Sequence, residues 1–143
     1  MDDFEALRLP GTAKVAGRVG LLTGVFECVL AAQTVALLRG VLQLPVAGTL
    51  FALGVVIVYA GARVSRGSGK GAIAAVVAAS FSTAVTCAWF LYTIVNGVVS
   101  PLAFFVMMLS IVTIATSAVA LPKLRKIDEA RARLRAEGLD AGL

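Results

Sequence analysis

One carboxylate stands alone in an apolar stretch. Residues 19–38, VGLLTGVFECVLAAQTVALL, carry Glu27 near their midpoint, and it is the only acidic residue between Glu5 and Asp128. At helical spacing, Gly20, Thr23, Gly24, Ala31 and Thr34 fall on the side of the helix that bears Glu27. A carboxylate in a seam of small and hydroxyl-bearing residues has two uses in a membrane. It binds a proton or a cation, or it acts as a polar contact that holds helices together. An unpaired charge at that depth costs roughly 2.5–3.5 kcal/mol on insertion scales, so either use requires a partner. The nearest cations in the chain, Arg18 and Arg39, lie about two to three helical turns away.

The other polar residues in apolar surroundings are neutral. Gln33 lies on a different face of the same stretch and is read as a hydrogen-bonding contact to a neighbouring helix. Ser80, Ser82, Thr83 and Thr86 lie in a third apolar stretch, and Ser110, Thr113 and Ser117 in a fourth. The i, i+3, i+7 spacing of Ser110, Thr113 and Ser117 puts them on one face, where they can line a polar path with Glu27. Hydroxyls in such helices commonly bond their own backbone carbonyls instead. The candidate ion or proton site, or interhelical polar contact, is therefore Glu27 with Thr23, Thr34, Gln33, Ser110 and Thr113.

Other chemistries are weakly supported. There is no histidine, which removes imidazole-based triads, His-ligated haem and the usual His-containing zinc sites. Cys28 and Cys87 show no CxxC spacing. Residues 67–71, GSGKG, look like the end of a phosphate-binding P-loop. That pattern needs Gly where Val64 stands and Ser or Thr where Gly71 stands, with a strand before it. The segment is read as a flexible turn. No catalytic residue, cofactor site or metal site is assigned, and the chain is not expected to be an enzyme.

The elements that must position Glu27 follow from hydropathy and charge. The 143 residues are 59% hydrophobic and 15% charged, against roughly 45–50% and about 25% in soluble domains. That composition predicts an all-α integral membrane protein. Four spans are expected, at about 19–38, 46–62, 72–95 and 102–121. They follow a polar lead over 1–18, in which Thr12 is the expected helix cap. A tail over 122–143, beyond Pro122, is expected to form a short cytoplasmic helix whose Leu124, Ile127 and Leu134 make a thin apolar stripe. That stripe has two readings: it docks on the bundle or self-associates, or, as is commoner for a lone short stripe, it is the wet side of a membrane stem. Trp89 and Tyr92 mark the end of the third span, as interfacial aromatics would.

Lys and Arg alternate between rich and poor segments. The lead, the loop at 63–71 and the tail are rich; the first loop has only Arg39 and the third has none. An even number of spans with both termini in the cytoplasm satisfies the positive-inside rule. The net charge of +5 fits that bias and anionic lipid better than nucleic acid, which is not expected as a partner. Short loops favour an up-down-up-down four-helix bundle in a cell (inner or plasma) membrane. Gly20, Gly24, Gly48, Ala52, Ala75 and Ala79 are the small residues expected to let helices approach closely.

In outline the chain resembles the small multidrug resistance transporters, which are also short four-helix chains with an essential glutamate in the first helix. The likeness is one of outline, and no quoted motif of the third or fourth helix carries it. Size alone likens the chain to membrane-bound glutathione-type enzymes. Two functions are expected. The first is a structural or accessory membrane protein acting by helix association with itself, as a homo-oligomer, or with other membrane proteins in the bilayer. The alternative is a small transporter or channel in which Glu27 binds a proton or cation.

Overall fold

The computed structural model describes residues 8–37 and 40–138. Among them are four helices: α1 (Gly11–Leu37), α2 (Gln43–Ser65), α3 (Gly69–Val95) and α4 (Pro101–Ala136). All four are long and apolar enough to cross a membrane. At ~1.5 Å per residue, even α2, with 23 residues, exceeds the ~30 Å of a bilayer's hydrocarbon core.

Local chemistry sets the helix starts. The Pro10 carbonyl accepts from the amides of Ala13 (3.0 Å) and Lys14 (3.3 Å), so α1 begins directly behind the proline. Thr12 is not the cap: it lies inside the first turn, and its hydroxyl is buried without a partner. Gly67, at φ +81°, turns the chain between α2 and α3. The Ser68 hydroxyl then accepts from the Gly71 amide at 3.2 Å and caps α3. Residues 67–71 are thus a closed helix entry, not a loose turn. Ser100 caps α4 by accepting from the Ala103 amide at 3.3 Å, and Pro101 takes the first helical position, where its missing N–H costs nothing.

All four helices run further than the expected spans, and α2, expected over about 46–62, covers Gln43–Ser65. α1 starts at Gly11 instead of near residue 19, and α3 starts at Gly69 instead of 72. α4 does not stop at Pro122 but continues to Ala136. A proline inside a helix deprives the carbonyl four residues earlier of its N–H partner. Here that carbonyl belongs to Ala118, and both Ala118 and Pro122 are exposed, so no core contact is opened. The continuation is held by burial. Leu124, Ile127 and Leu134 are each at most 3% exposed, and Leu124 and Ile127 pack with Ala13, Ala16, Val64 and Ala72. The apolar stripe of the tail is docked on the bundle. Phe4, Leu7, Leu38, Arg39 and the residues after Gly138 lie outside the described residues.

α1 packs on α2 and α4, and α3 packs on α2 and α4. The interior combines Leu30, Leu50, Ile57 and Leu124 with many small and hydroxyl-bearing residues, while large apolar side chains such as Leu22, Val25, Phe51, Phe81, Leu91 and Ile111 point outward. That arrangement suits helices that gain little by hiding Leu and Phe and must instead bring their backbones together.

The closest approach is between α1 and α2. A Cβ added at Gly24 would lie 2.5 Å from the Gly54 carbonyl oxygen, and one at Gly61 would lie 2.8 Å from the Leu21 nitrogen. Gly20 meets Gly61 as well. Gly48 and Ala52 do not share this role: both are exposed, and nothing lies within 4 Å of a Cβ at Gly48. They sit on the face of α2 turned away from the other helices, and Gly54 and Gly61 occupy the face turned inward. Ala75 and Ala79 are buried, Ala75 against Ala16, Ala60 and Ala120, and Ala79 beside Ile57.

Gly24→Ala is accordingly expected to destabilise the fold by about 1–3 kcal/mol through overpacking. Gly48→Ala is expected to stay within about 0.5 kcal/mol of the parent. Unfolding of the two variants in mixed micelles, monitored by circular dichroism, measures the difference.

Candidate functional site

The glycines of α1 place Glu27. Gly20 and Gly24 draw α2 in against their face, so the adjoining side of α1, which bears the carboxyl, ends inside the bundle. Glu27 is 0% exposed. Among the described residues Ser82 of α3 meets the carboxyl, and the buried hydroxyls of the bundle are Thr23 on α1, Ser82 and Thr86 on α3, and Ser110, Thr113 and Ser117 on α4. The inward face of α2, with Leu50, Gly54 and Ile57, supplies no polar side chain. The site is one carboxyl in a seam of hydroxyls contributed by three helices.

Three of these hydroxyls are anchored to their own helix. Thr23 reaches the Val19 carbonyl at 2.8 Å, Ser110 the Val106 carbonyl at 2.9 Å, and Thr113 the Leu109 carbonyl at 2.9 Å. Two pairs also cross between helices. Thr23 Oγ1 and Thr113 Oγ1 are 2.7 Å apart, and Ser82 Oγ and Ser110 Oγ are 3.0 Å apart. Each hydroxyl has one proton, so the pairs are directional. If Ser110 donates to Val106, Ser82 must donate to Ser110; if Ser110 donates to Ser82, the Ser82 proton is free for another acceptor. Ser82 is the hydroxyl that faces the Glu27 carboxyl.

Neither oxygen of Glu27 completes a hydrogen bond among the described residues, and the hydroxyls of Thr86 and Ser117 are likewise buried without partners. A bare carboxylate in such surroundings is costly. A proton, a bound cation or a rotated Ser82 hydroxyl would each reduce that cost. No side chain facing the carboxyl is basic: Arg18 is exposed, and Arg39 lies outside the described residues. The seam can hold a proton or a small cation on oxygen ligands. It does not pair a nucleophile with a base.

The structure gathers Glu27, Thr23, Ser110 and Thr113 into this seam and leaves two of the expected residues elsewhere. Thr34 is buried two turns further along α1 and bonds the Leu30 carbonyl at 2.8 Å. Gln33 stands beside it at a small crevice of about 20 Å³, with Trp89, Thr93 and Ser100. That volume is close to what one water occupies. Trp89 is only 6% exposed and stacks on Tyr92 at 5.4 Å between ring centroids. It packs inside the helices, where an interfacial anchor was expected, and Tyr92 alone faces outward.

The sequence reading did not single out Gly54 and Gly61, whose seven-residue spacing marks one helix face as plainly as a four-residue spacing does. It also left Ser82 and Thr86 unassigned, although their i, i+4 spacing repeats that of Thr23 and Glu27.

The Thr23–Thr113 contact is expected to show measurable coupling. In a double-mutant cycle with Thr23→Val and Thr113→Val, the interaction energy should be about 0.6 kcal/mol and no more than about 1.7 kcal/mol, read from unfolding in mixed micelles. Additive effects would mean that each hydroxyl serves only its own backbone. No family model, curated protein or solved structure matches the chain.

Proposed function

We propose that the chain is a multi-pass cell-membrane protein, an up-down-up-down bundle with cytoplasmic ends, in which Glu27 binds a proton or small cation in the service of transport. The observation that carries this reading is Glu27 itself, fully buried with both oxygens unpartnered among hydroxyls from three helices. Ionisable groups at such depth mark ion and proton pathways by default, because an inert position would carry an apolar residue at no cost. Hydroxyls are suitable neighbours, since each both donates and accepts and can follow a proton or coordinate a cation. The outward-facing large apolar residues support lipid as the surrounding phase. Arg63, Arg66, Lys70 and the basic tail lie at one end of the helices, which supports a cytoplasmic assignment for that end.

A second reading is favoured by a specific observation. Neither the small crevice at Gln33 nor the larger basic cleft between Arg63 and Arg135 is lined by Glu27. Under this reading the protein is a structural or accessory component working by helix association. Glu27 then fixes the register of its own bundle, and the exposed Gly48–Ala52 face of α2 is free for a second copy or another membrane protein. An oligomer suits both readings, because four helices of this size enclose little space of their own. Neither reading is enzymatic.

Liposomes containing purified protein distinguish the two. Proton or monovalent-cation flux is expected in the parent and is expected to fall by about tenfold or more in Glu27→Gln, the scale of one lost charge contact. Absence of flux in both, with Glu27→Gln altering only thermal stability or oligomer size, would reject transport and leave the association reading.

A further inference from the structure

A second polar site lies at the opposite extreme of charge. Between the turn joining α2 to α3 and the extension of α4 is an open cleft of about 580 Å³, within the roughly 300–1,000 Å³ of small-molecule sites. Its lining includes Arg63 and Arg66 from one side, Lys70 from the first turn of α3, and Arg131 and Arg135 from α4. Asp128 is the one acidic residue of the lining, and its Oδ2 already accepts the Gly69 amide at 2.8 Å.

This gathering is imposed by the fold. Arg131 is more than 60 positions from Arg66 in the chain, yet its Nη2 donates to the Arg66 carbonyl at 3.0 Å and its Nη1 to the Gly67 carbonyl at 3.4 Å. The same guanidinium has its Nε buried with no acceptor. Five cations facing one cleft repel one another over distances comparable to the ~8 Å screening length of physiological salt. Burial of Leu124, Ile127 and Leu134 holds the α4 extension in place despite that repulsion. An anion in the cleft would relieve it. Guanidinium forks and a lysine are matched to a phosphate group, which presents more charge and more acceptor oxygens than a carboxylate.

We propose that this cleft binds a phosphate-bearing anion, clamped between the α2–α3 turn and the α4 extension. The phosphate comes either from a lipid headgroup or from a soluble phosphorylated compound. The cleft lies where the apolar parts of α2, α3 and α4 end, so if the helices span a bilayer it stands level with one layer of headgroups and also opens to water. The site is independent of the role given to Glu27.

The test uses full-length protein in phosphatidylcholine vesicles, with thermal unfolding as the readout. One arm adds inorganic pyrophosphate; the other replaces part of the lipid with phosphatidic acid. The cleft variant is Arg66→Gln with Lys70→Gln, two exposed residues whose side chains carry no structural hydrogen bond. The control is Lys123→Gln with Lys126→Gln, which removes equal charge from α4 outside the cleft. Saturable stabilisation of the parent by pyrophosphate is expected if the source is soluble, and by phosphatidic acid alone if it is a headgroup. In either case affinity should fall by about tenfold or more in the cleft variant and stay near parental in the control. No saturable response to either probe would overturn the proposal. So would equal losses in the two variants, which would reveal only a diffuse basic surface.

Discussion

Everything in this fold depends on two backbones touching. The contact of Gly20 and Gly24 with Gly54 and Gly61 brings α1 and α2 closer than any pair with side chains at those positions could come. The proximity has a directional consequence. The glycine face of α1 continues to Cys28 against Gly54 of α2, and with that face turned to α2 the adjoining side, which bears Thr23 and Glu27, is turned to α4 and α3. The carboxyl is buried because of its register with the glycines; no charge partner pulls it in.

The two polar features of the molecule are governed by opposite balances. In the seam around Glu27 there is one ionisable group and no compensating charge, so the neutral hydroxyls of Thr23, Ser82, Ser110 and Thr113 carry the whole polar network. At the other site, charges of one sign are in excess, and apolar burial of the α4 extension supplies the compensation. α4 connects the two. It is a single helix from Ser110 at the seam to Arg131 at the cleft, with Pro122 on its exposed side between them.

Much of this was readable from the chain. The four apolar segments, the isolation of Glu27 and the common face of Ser110, Thr113 and Ser117 follow from spacing and hydropathy alone. The glycine contacts were half legible. The same four-residue spacing of small residues marks Gly20 and Gly24 on α1, which face α2, and Gly48 and Ala52 on α2, which face outward. Spacing defines a face without saying which way it points. Pro122 misled for a different reason. Its local preference to end a helix is outweighed by the tertiary burial of Leu124 and Ile127, whose stripe is visible in the sequence although the surface that covers it is not. The basic cleft was illegible because its halves lie far apart in the chain, and each half alone looks like an ordinary solvated flank.

The seam also has a history within each molecule. Its acidic member is on α1, while Ser82 and Ser110, which complete its surroundings, are on α3 and α4 and follow it in synthesis. The glycine-bearing partner α2 emerges next after α1, so the first hairpin can close early, with the Glu27 side still open. Until chain growth reaches Thr113, the nascent hairpin carries Glu27 without the hydroxyls that α3 and α4 bring to it. A chain truncated before α4 would retain the tightest contact of the fold and lack the groups that make its most expensive residue tolerable. Completion of α4 is therefore the step that changes Glu27 from a liability of the growing chain into part of the interior.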